Sequence, residues 1–529
     1  MALTSRQHRW IYLIFIALIM VGLPFSHALI SIGELLLALN FLVEGRWKER
    51  LMVFKTTKSI WLFLGLYLMH VVGLLWTTDI SFAMNDLRIK LPLLIFPIII
   101  PLSQRLSRKE FLWIGAIFSA AVIAASFVST FQYLAHHSDP GFDYRTISLF
   151  TSHIRYSLMV CLSYIILLNC AWNEEKQTWL RVLYIILAIW MSVFMFILQS
   201  MTGIVVWMLC SYMLLFYTLY HIKNSVLRIT GTTVLWLTPV FIVFYLGFQV
   251  DAFYPDNDLD TSTLDMISAE GKYYHHDTNN LTLENGNYIN LYVSPLELEE
   301  EWAKVSDIKY VRGKDAKGQY IYTTLIRYMT SLSLRKDKEG FSHLSKRDIK
   351  AIESGVANVR FLYGNALDNR IYTVIWEFDK WLQAKHVQGH SVTQRFEFWR
   401  TGWHIFRENI VIGIGTGDMN IEYNKMYDEL DSKLGKEYRL RAHNQYLNFM
   451  ITFGLIGFLF FLLILAYPFF GNNNANSFLY IGFCLILYTS MLNEDTLETQ
   501  VGVTLYAFFN AFFLYSLSGL SRVAPRTNS

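Results

Sequence analysis

Long apolar runs recur along this chain, and they limit its possible folds more than any other feature. A helix that spans a bilayer needs about 20 predominantly apolar residues. We predict twelve such spans, at 10–25, 27–44, 60–76, 87–102, 111–133, 154–171, 178–199, 202–221, 228–249, 446–469, 476–493 and 498–517. Charged residues make up only 16% of the chain, against about 25% in soluble domains. The sequence therefore predicts an all-α integral membrane protein.

The distribution of Lys and Arg predicts the orientation of these spans, because short cytoplasmic loops are enriched in both residues. Segments 45–59 and 103–110 are basic, and both are cytoplasmic if the N-terminus is. The first apolar run lacks an A-x-A-like cleavage site, so we interpret it as a retained helix. We therefore expect both termini in the cytoplasm.

One long polar stretch interrupts the apolar pattern after the ninth predicted span, which places it on the external side. Its acidic and basic residues are nearly balanced, and it contains aromatic and apolar patterns that a disordered linker would lack. We expect an ordered, mainly helical subdomain there. The predicted organisation is 1–250 for spans one to nine, 251–445 for this loop subdomain, 446–517 for spans ten to twelve, and 518–529 for a cytoplasmic tail.

Several cationic residues lie at the predicted external ends of helices, although Lys and Arg are usually enriched on the cytoplasmic side. Arg88 and Lys90 open span four, and Arg155 opens span six. The loop adds Arg395, Arg400, Arg439 and Arg441. Charges at this depth usually face a protein interior or a water-filled cavity, although a single side chain can also extend to lipid headgroups. Arginine donates parallel hydrogen bonds to phosphate, so the cluster predicts a site for an anionic lipid headgroup or a lipid pyrophosphate.

His443 and Asn444 stand where the loop meets span ten, and the run continues to Gly454 and Gly457. This pattern resembles H-[NSQ]-x9-G-x-x-[GTY] of the O-antigen ligase and O-antigen polymerase superfamily. Upstream, QRFEFWRTGWHIFRENIVIGIGTGDM resembles the family's Arg…Trp helix and glycine turn. The rest of the loop and NEDTLETQ resemble a long-loop subgroup associated with Bacteroidota O-antigen ligases. The sharp motifs cover about 393–458.

The chain departs from the family pattern before span eight. The family often has Ser-Arg-x-Gly there, whereas this chain has Met201 at the arginine position. Ile410 also stands near the place of a proline that usually precedes the glycine turn. Because the missing arginine is thought to hold the lipid phosphate, we expect Arg155 or Arg88 to replace it.

The resemblance implies a GT-C-like glycosyltransferase at the periplasmic face of the bacterial inner membrane. Its implied donor is a glycan on undecaprenyl pyrophosphate and its implied acceptor is lipid A–core. The implied reaction inverts the anomeric configuration of the transferred sugar and needs no metal or other cofactor. Membrane lipid is a further expected partner. Nucleic acid is not, because the net charge is only +3 and dispersed.

This reaction needs a base for the acceptor hydroxyl and cations for the departing pyrophosphate. Histidine suits the first task because its ordinary pKa lies near neutrality. Neighbouring arginines disfavour the imidazolium form, so we expect His443 to be a neutral proton acceptor. Arg395 is the expected leading pyrophosphate ligand. The expected substrate-binding residues are Arg155, Arg88, Arg400, Arg441 and Asn444, although Asn444 is equally suited to cap span ten.

Other functions stay open at this point. An O-antigen polymerase or a protein O-oligosaccharyltransferase would share these motifs. A transporter or flippase for lipid-linked glycans also suits twelve spans, but would more often show mid-bilayer polar residues and a pseudo-repeat. A membrane sensor would need a cytoplasmic output domain, which is not evident.

Five further patterns carry less weight. GIGTGDM lacks the G-x-G-x-x-G spacing of dinucleotide sites, so we expect a tight turn. The histidine pairs 136–137, 275–276 and His386/His390 lack further ligands at fixed spacing. The acidic PDNDLD at 255–260 is similar to metal-binding DxD motifs of glycosyltransferases that use sugar nucleotides, which the external side does not offer. The four cysteines lie in apolar runs and offer no disulfide framework. Asp495 and Glu498, between the last two spans, are interpreted as a solvated loop.

Overall fold

A computed structural model describes residues 3–137, 144–173, 177–254, 259–364, 366–382 and 391–516. The chain divides into two compact units. The first comprises 1–224, 397–432 and 436–529, and the second comprises 225–396 and 433–435. The described residues are mostly helical. The predicted all-α class is therefore confirmed, while the predicted domain boundaries stay predictions.

Eleven helices precede the long polar stretch. They are α1 (Ser5–Phe25), α2 (His27–Glu44), α3 (Trp47–Thr56), α4 (Lys58–Val72), α5 (Ile80–Ile89), α6 (Pro92–Leu102), α7 (Arg108–His136), α8 (His153–Asn173), α9 (Thr178–Leu198), α10 (Met201–Tyr220) and α11 (Ser225–Asp251). Short 3₁₀ turns at Gly73–Leu75 and Tyr144–Ile147 follow α4 and α7.

The polar stretch contains short helices and a small antiparallel hairpin. Its elements are β1 (Leu283–Glu284), β2 (Asn287–Tyr288), α12 (Pro295–Trp302), α13 (Ile321–Ser331), α14 (Lys338–Ser342), α15 (Lys346–Glu353), α16 (Arg360–Tyr363), α17 (Ala366–Leu382), α18 (Ser391–Glu408) and α19 (Met419–Glu429). Leu298, Trp302 and Tyr328 centre a buried apolar cluster in the second unit. Residues 293–362 therefore pack around an apolar core of their own.

Three helices complete the described chain. They are α20 (Gln445–Gly471), α21 (Phe478–Ser490) and α22 (Gln500–Tyr515). A turn at 491–499 joins α21 to α22. Residues 255–258 of PDNDLD (255–260), the pair His386/His390 and the tail 518–529 lie outside the described residues.

Nine described helices are long and apolar enough to cross a membrane. They correspond to predicted spans one to three and five to ten, and they make this a multi-pass membrane protein. The last two predicted spans coincide with α21 and α22, which are shorter apolar helices. The number of crossings and their orientation stay predictions.

Predicted span four, 87–102, is not one helix. α5 ends at Ile89, and α6 begins at Pro92. Proline has no N–H to bond the carbonyl of Arg88, four residues earlier, and its ring disfavours helical backbone before it. The break leaves Lys90 at the junction of the two helices, where it is only 1% exposed.

The glycine turn packs backbone against backbone on α20. Gly454 has φ +63° and ψ −165°, which interrupts the helix. The interruption frees carbonyls of α20, and the N–H groups of Ile414 and Gly415 donate to those of Ile451 and Thr452 at 3.0 Å each. Membrane segments must satisfy such groups internally. GIGTGDM is therefore a tight turn, as predicted.

A Gly454→Ala variant tests this close backbone contact between the glycine turn and α20. An added Cβ would lie 2.3 Å from the Val411 carbonyl oxygen, and positive φ is also unfavourable for alanine. We expect a loss of stability of more than about 1 kcal/mol, measured as a lower thermal unfolding midpoint in detergent. Gly247→Ala is the matched control, because a Cβ there meets no neighbour within 4 Å. Equal unfolding midpoints for the two variants would contradict this backbone contact.

Candidate functional site

His443 lies at the entrance of α20 with its backbone in the left-handed region, at φ +46°. A non-glycine residue in this region is uncommon and often marks a functional site. The next residue, Asn444, caps α20, since its side chain accepts a hydrogen bond from the Leu447 N–H at 3.0 Å. The Asn444 amide also donates to the carbonyl of Leu492 at 2.8 Å. The cap therefore ties His443 to the turn 491–499.

Asp495 in this turn is the closest described carboxylate to His443. Its Oδ1 lies 3.5 Å from Nδ1 of His443, and its Oδ2 lies 2.5 Å from Nε of Arg441. Nη2 of Arg155 lies 3.2 Å from Oδ1 of the same carboxylate. The interpretation of Asp495 and Glu498 as a solvated loop is wrong, because Asp495 is only 3% exposed and both side chains hold ion pairs.

A second group of ion pairs adjoins the first. Nζ of Lys90 lies 2.5 Å from Oδ1 of Asp86 and 2.7 Å from Oε2 of Glu498. Nη1 of Arg441 lies 3.6 Å from Oε2 of Glu498, which links the two groups. Buried charges persist only where partners compensate their desolvation. Every cation and carboxylate named here has at least one such partner.

The charges around Asp495 stabilise its ionised form. Burial raises the pKa of Asp495, but the hydrogen bond from His443 and the charges of Arg441 and Arg155 outweigh burial and leave that pKa below its ordinary value. Burial likewise raises the pKa of Glu498, and the charges of Lys90 and Arg441 lower it overall. Both carboxylates are therefore ionised at neutral pH. An anion therefore faces the His443 ring beside the arginines that the sequence predicted there. That His443 is a neutral proton acceptor stays a prediction.

A cavity of about 360 Å³ opens at this point. Its lining residues are Arg155, Asn420, Tyr423, Asn424, Arg439, Leu440, Arg441, His443, Asp495 and Thr499. Ligand sites commonly enclose about 300–1,000 Å³ and carry a few convergent polar groups. All of these residues belong to the first compact unit. The cavity thus brings together a candidate base and three arginines.

Helix α18 supports the backbone before His443. Nε1 of Trp399 donates a hydrogen bond to the carbonyl of Ala442 at 2.8 Å. The exposed side chain of Arg400, on the same helix, lies 3.5 Å from Oε2 of Glu397. The tryptophan of the Arg…Trp motif therefore positions the residue that precedes the histidine.

The remaining predicted site residues lie elsewhere among the described residues. Arg88 is exposed and donates to Oδ1 of Asn85 at 2.8 Å, and neither it nor Arg400 lines the cavity. Arg395 is partly buried on α18 and belongs to the second unit. Its role in binding pyrophosphate stays a prediction. Of the two expected replacements for the arginine missing at Met201, only Arg155 lines the cavity.

His443, Glu494 and Asp495 place ligand atoms within 4.8 Å of one another, a spacing that a metal ion could use. However, Nη1 of Arg155 lies 3.4 Å from Oε2 of Glu494, and Arg441 lies beside Asp495. Two arginine charges at this distance oppose the binding of a divalent cation. The residues present therefore fit an anion better than a metal.

Comparison with known proteins gives one family. Residues 349–462 match the family model described as O-antigen ligase, Wzy_C. The matched segment includes Arg395, Trp399, the glycine turn, His443 and Gly454. A search of curated proteins found no match. The predicted resemblance to the O-antigen ligase superfamily is thereby confirmed for residues 349–462, which match a model of that family.

Proposed function

We propose that this protein is an O-antigen ligase, which transfers a glycan from undecaprenyl pyrophosphate to a sugar hydroxyl of lipid A–core. The observation that carries the proposal is the cavity in which His443 faces Arg155, Arg439 and Arg441. Lipid-linked oligosaccharide transfer by this family requires a base and an anion site together. The proposed location is the periplasmic face of the bacterial inner membrane.

His443 is the proposed base. Because Asp495 faces Nδ1, a proton on Nδ1 is held there and Nε2 is left as the proton acceptor. Nε2 takes the proton of the acceptor hydroxyl while its oxygen forms a bond to the anomeric carbon. The bond from that carbon to the pyrophosphate oxygen breaks, and undecaprenyl pyrophosphate leaves with the electron pair. Attack from the opposite side inverts the anomeric configuration.

The arginines have the second task of stabilising the departing pyrophosphate. Arg155 pairs with Glu494 and Asp495, and Arg441 pairs with Asp495 and Glu498. Because an arginine carries five N–H donors, each of the two keeps further donors for a ligand. Preorganised cations of this kind stabilise developing negative charge without reorganising. Arg439 lies beside them, held by Asp428 with Nη1 2.6 Å from Oδ1. Arg395, Arg88 and Arg400 are proposed as further ligands of the lipid-linked substrate, and Asn444 as both cap and substrate contact.

Purified protein with defined substrates tests the reaction. We would supply undecaprenyl-pyrophosphate glycan with and without lipid A–core, and without nucleotide, and identify products by mass spectrometry. A glycan-extended lipid A–core supports the proposal. Longer lipid-linked chains from donor alone would instead make the protein an O-antigen polymerase. Unreacted donor under both conditions would contradict transferase activity.

We predict that the rate of glycan transfer does not depend on a metal ion, and the same assay tests this. Because the charges of Arg155 and Arg441 beside Glu494 and Asp495 oppose a divalent ion, we expect EDTA to leave the initial rate unchanged within about twofold. Added Mg²⁺ or Mn²⁺ should not raise the rate. A loss of activity in EDTA that a single added metal restores would contradict this mechanism. Protein treated with EDTA and then dialysed provides the control for chelator effects on the lipids.

A further inference from the structure

Helix α19 forms a second wall of the cavity, and its chemistry differs from that of the first. The first wall carries His443, Asp495 and the arginines. The second wall carries Asn420, Tyr423 and Asn424, which are neutral at physiological pH. The cavity is therefore charged on one side and uncharged but polar on the other.

The two asparagines share one face of α19, because residues four apart on a helix lie one turn above each other. Both are exposed to the cavity. Asn424 uses one amide N–H to donate to the carbonyl of Asn420 at 2.9 Å. Its amide oxygen and second N–H stay available, and the Asn420 amide makes no hydrogen bond within the described part of the chain.

We propose that Asn420 and Asn424 bind the sugar that is joined directly to the pyrophosphate of the donor. This inference rests on the proposed function and extends it to the recognition of the transferred glycan. The donor has the same division as the cavity, since its pyrophosphate is anionic and its sugar is neutral and polar. With the pyrophosphate against the arginines, the adjoining sugar reaches the uncharged wall.

Amide side chains suit a sugar better than the charged groups opposite them. An amide both donates and accepts hydrogen bonds, as sugar hydroxyl and N-acetyl groups do. Arginine can only donate, and an ionised carboxylate can only accept. The two asparagines therefore select the sugar by hydrogen bonds, while the charged wall holds a group that every donor of this type shares.

Asn420→Ala and Asn424→Ala test the inference by separating sugar from pyrophosphate. We expect each substitution to raise the donor KM roughly two- to tenfold, the effect of one lost hydrogen bond, with kcat little changed. Inhibition by undecaprenyl pyrophosphate, which has no sugar, should keep the wild-type constant. Lys425→Ala is the matched control, because Lys425 is exposed on α19 but does not line the cavity.

Two other kinetic results would contradict the assignment of these asparagines to the sugar. Donor KM values equal to that of Lys425→Ala would remove the asparagines from substrate binding. Inhibition constants that rise in parallel with KM would assign them to the pyrophosphate rather than the sugar. If wild type transfers nothing, the proposed function fails. Direct binding of donor and of undecaprenyl pyrophosphate, measured by thermophoresis on the same variants, then decides the inference separately.

Discussion

Replacing His443 with Gln is expected to lower glycan transfer by about 10²- to 10⁴-fold, the usual contribution of a general base. Glutamine keeps a polar side chain of similar size near Asp495 but cannot accept a proton at neutral pH. The donor KM should change little, because the arginines that hold the pyrophosphate are unaltered. Initial rates at saturating donor and acceptor measure the effect.

The control for this substitution is His343→Gln. His343 is an exposed histidine of the loop region and does not line the cavity, so its replacement should leave the rate unchanged. Thermal unfolding of both variants shows whether they fold. A folded His443→Gln protein that transfers as fast as wild type would contradict the proposed mechanism, even though the family assignment would stand.

Replacing Asp495 with Asn is the second large expected effect. The carboxylate faces His443 and pairs with Arg441 and Arg155. Loss of a carboxylate that orients a catalytic histidine lowers kcat by up to about 10⁴-fold. Removing one partner of a buried ion pair also costs about 3–5 kcal/mol of stability. We therefore expect both a lower kcat and a lower unfolding midpoint.

These two effects can be separated. The rate per folded molecule, from activity normalised to the monodisperse fraction, reports the orientation of His443. Asp307→Asn is the matched control, since Asp307 is an exposed carboxylate that does not line the cavity. A lower midpoint with a normal rate per folded molecule would limit Asp495 to a structural role. Normal values of both quantities would contradict the geometry described for the turn 491–499.

The membrane helices could be predicted from the sequence because an apolar run of about 20 residues has few alternatives. The family motif also predicted His443 as a site residue, and the cations at external helix ends predicted Arg155 and Arg441. All three line the same cavity. The apolar runs, the motif and the charged residues can each be recognised within a short stretch of sequence. The break at Pro92 could have been anticipated too, because proline seldom lies in the interior of a helix.

The carboxylates were missed because their partners are distant in the chain. Asp495 and Glu498 look solvated in NEDTLETQ, yet Lys90 and Arg155, hundreds of residues earlier, pair with them. A signal was present: buried cations at helix mouths need anions, and this turn holds the acidic residues between the last two spans. The asparagines of α19 gave no such signal, since exposed amides are common on helices.

Blocking the cavity with a thiol reagent tests the central claim most directly. The four native cysteines are buried, so Leu440→Cys introduces an accessible thiol at a cavity-lining position that is 49% exposed. Ile421→Cys is the control, at a residue 46% exposed that does not line the cavity. We expect a bulky methanethiosulfonate reagent to abolish transfer by the first variant and spare the second, with undecaprenyl pyrophosphate protecting. Full activity of labelled Leu440→Cys protein would place the reaction elsewhere.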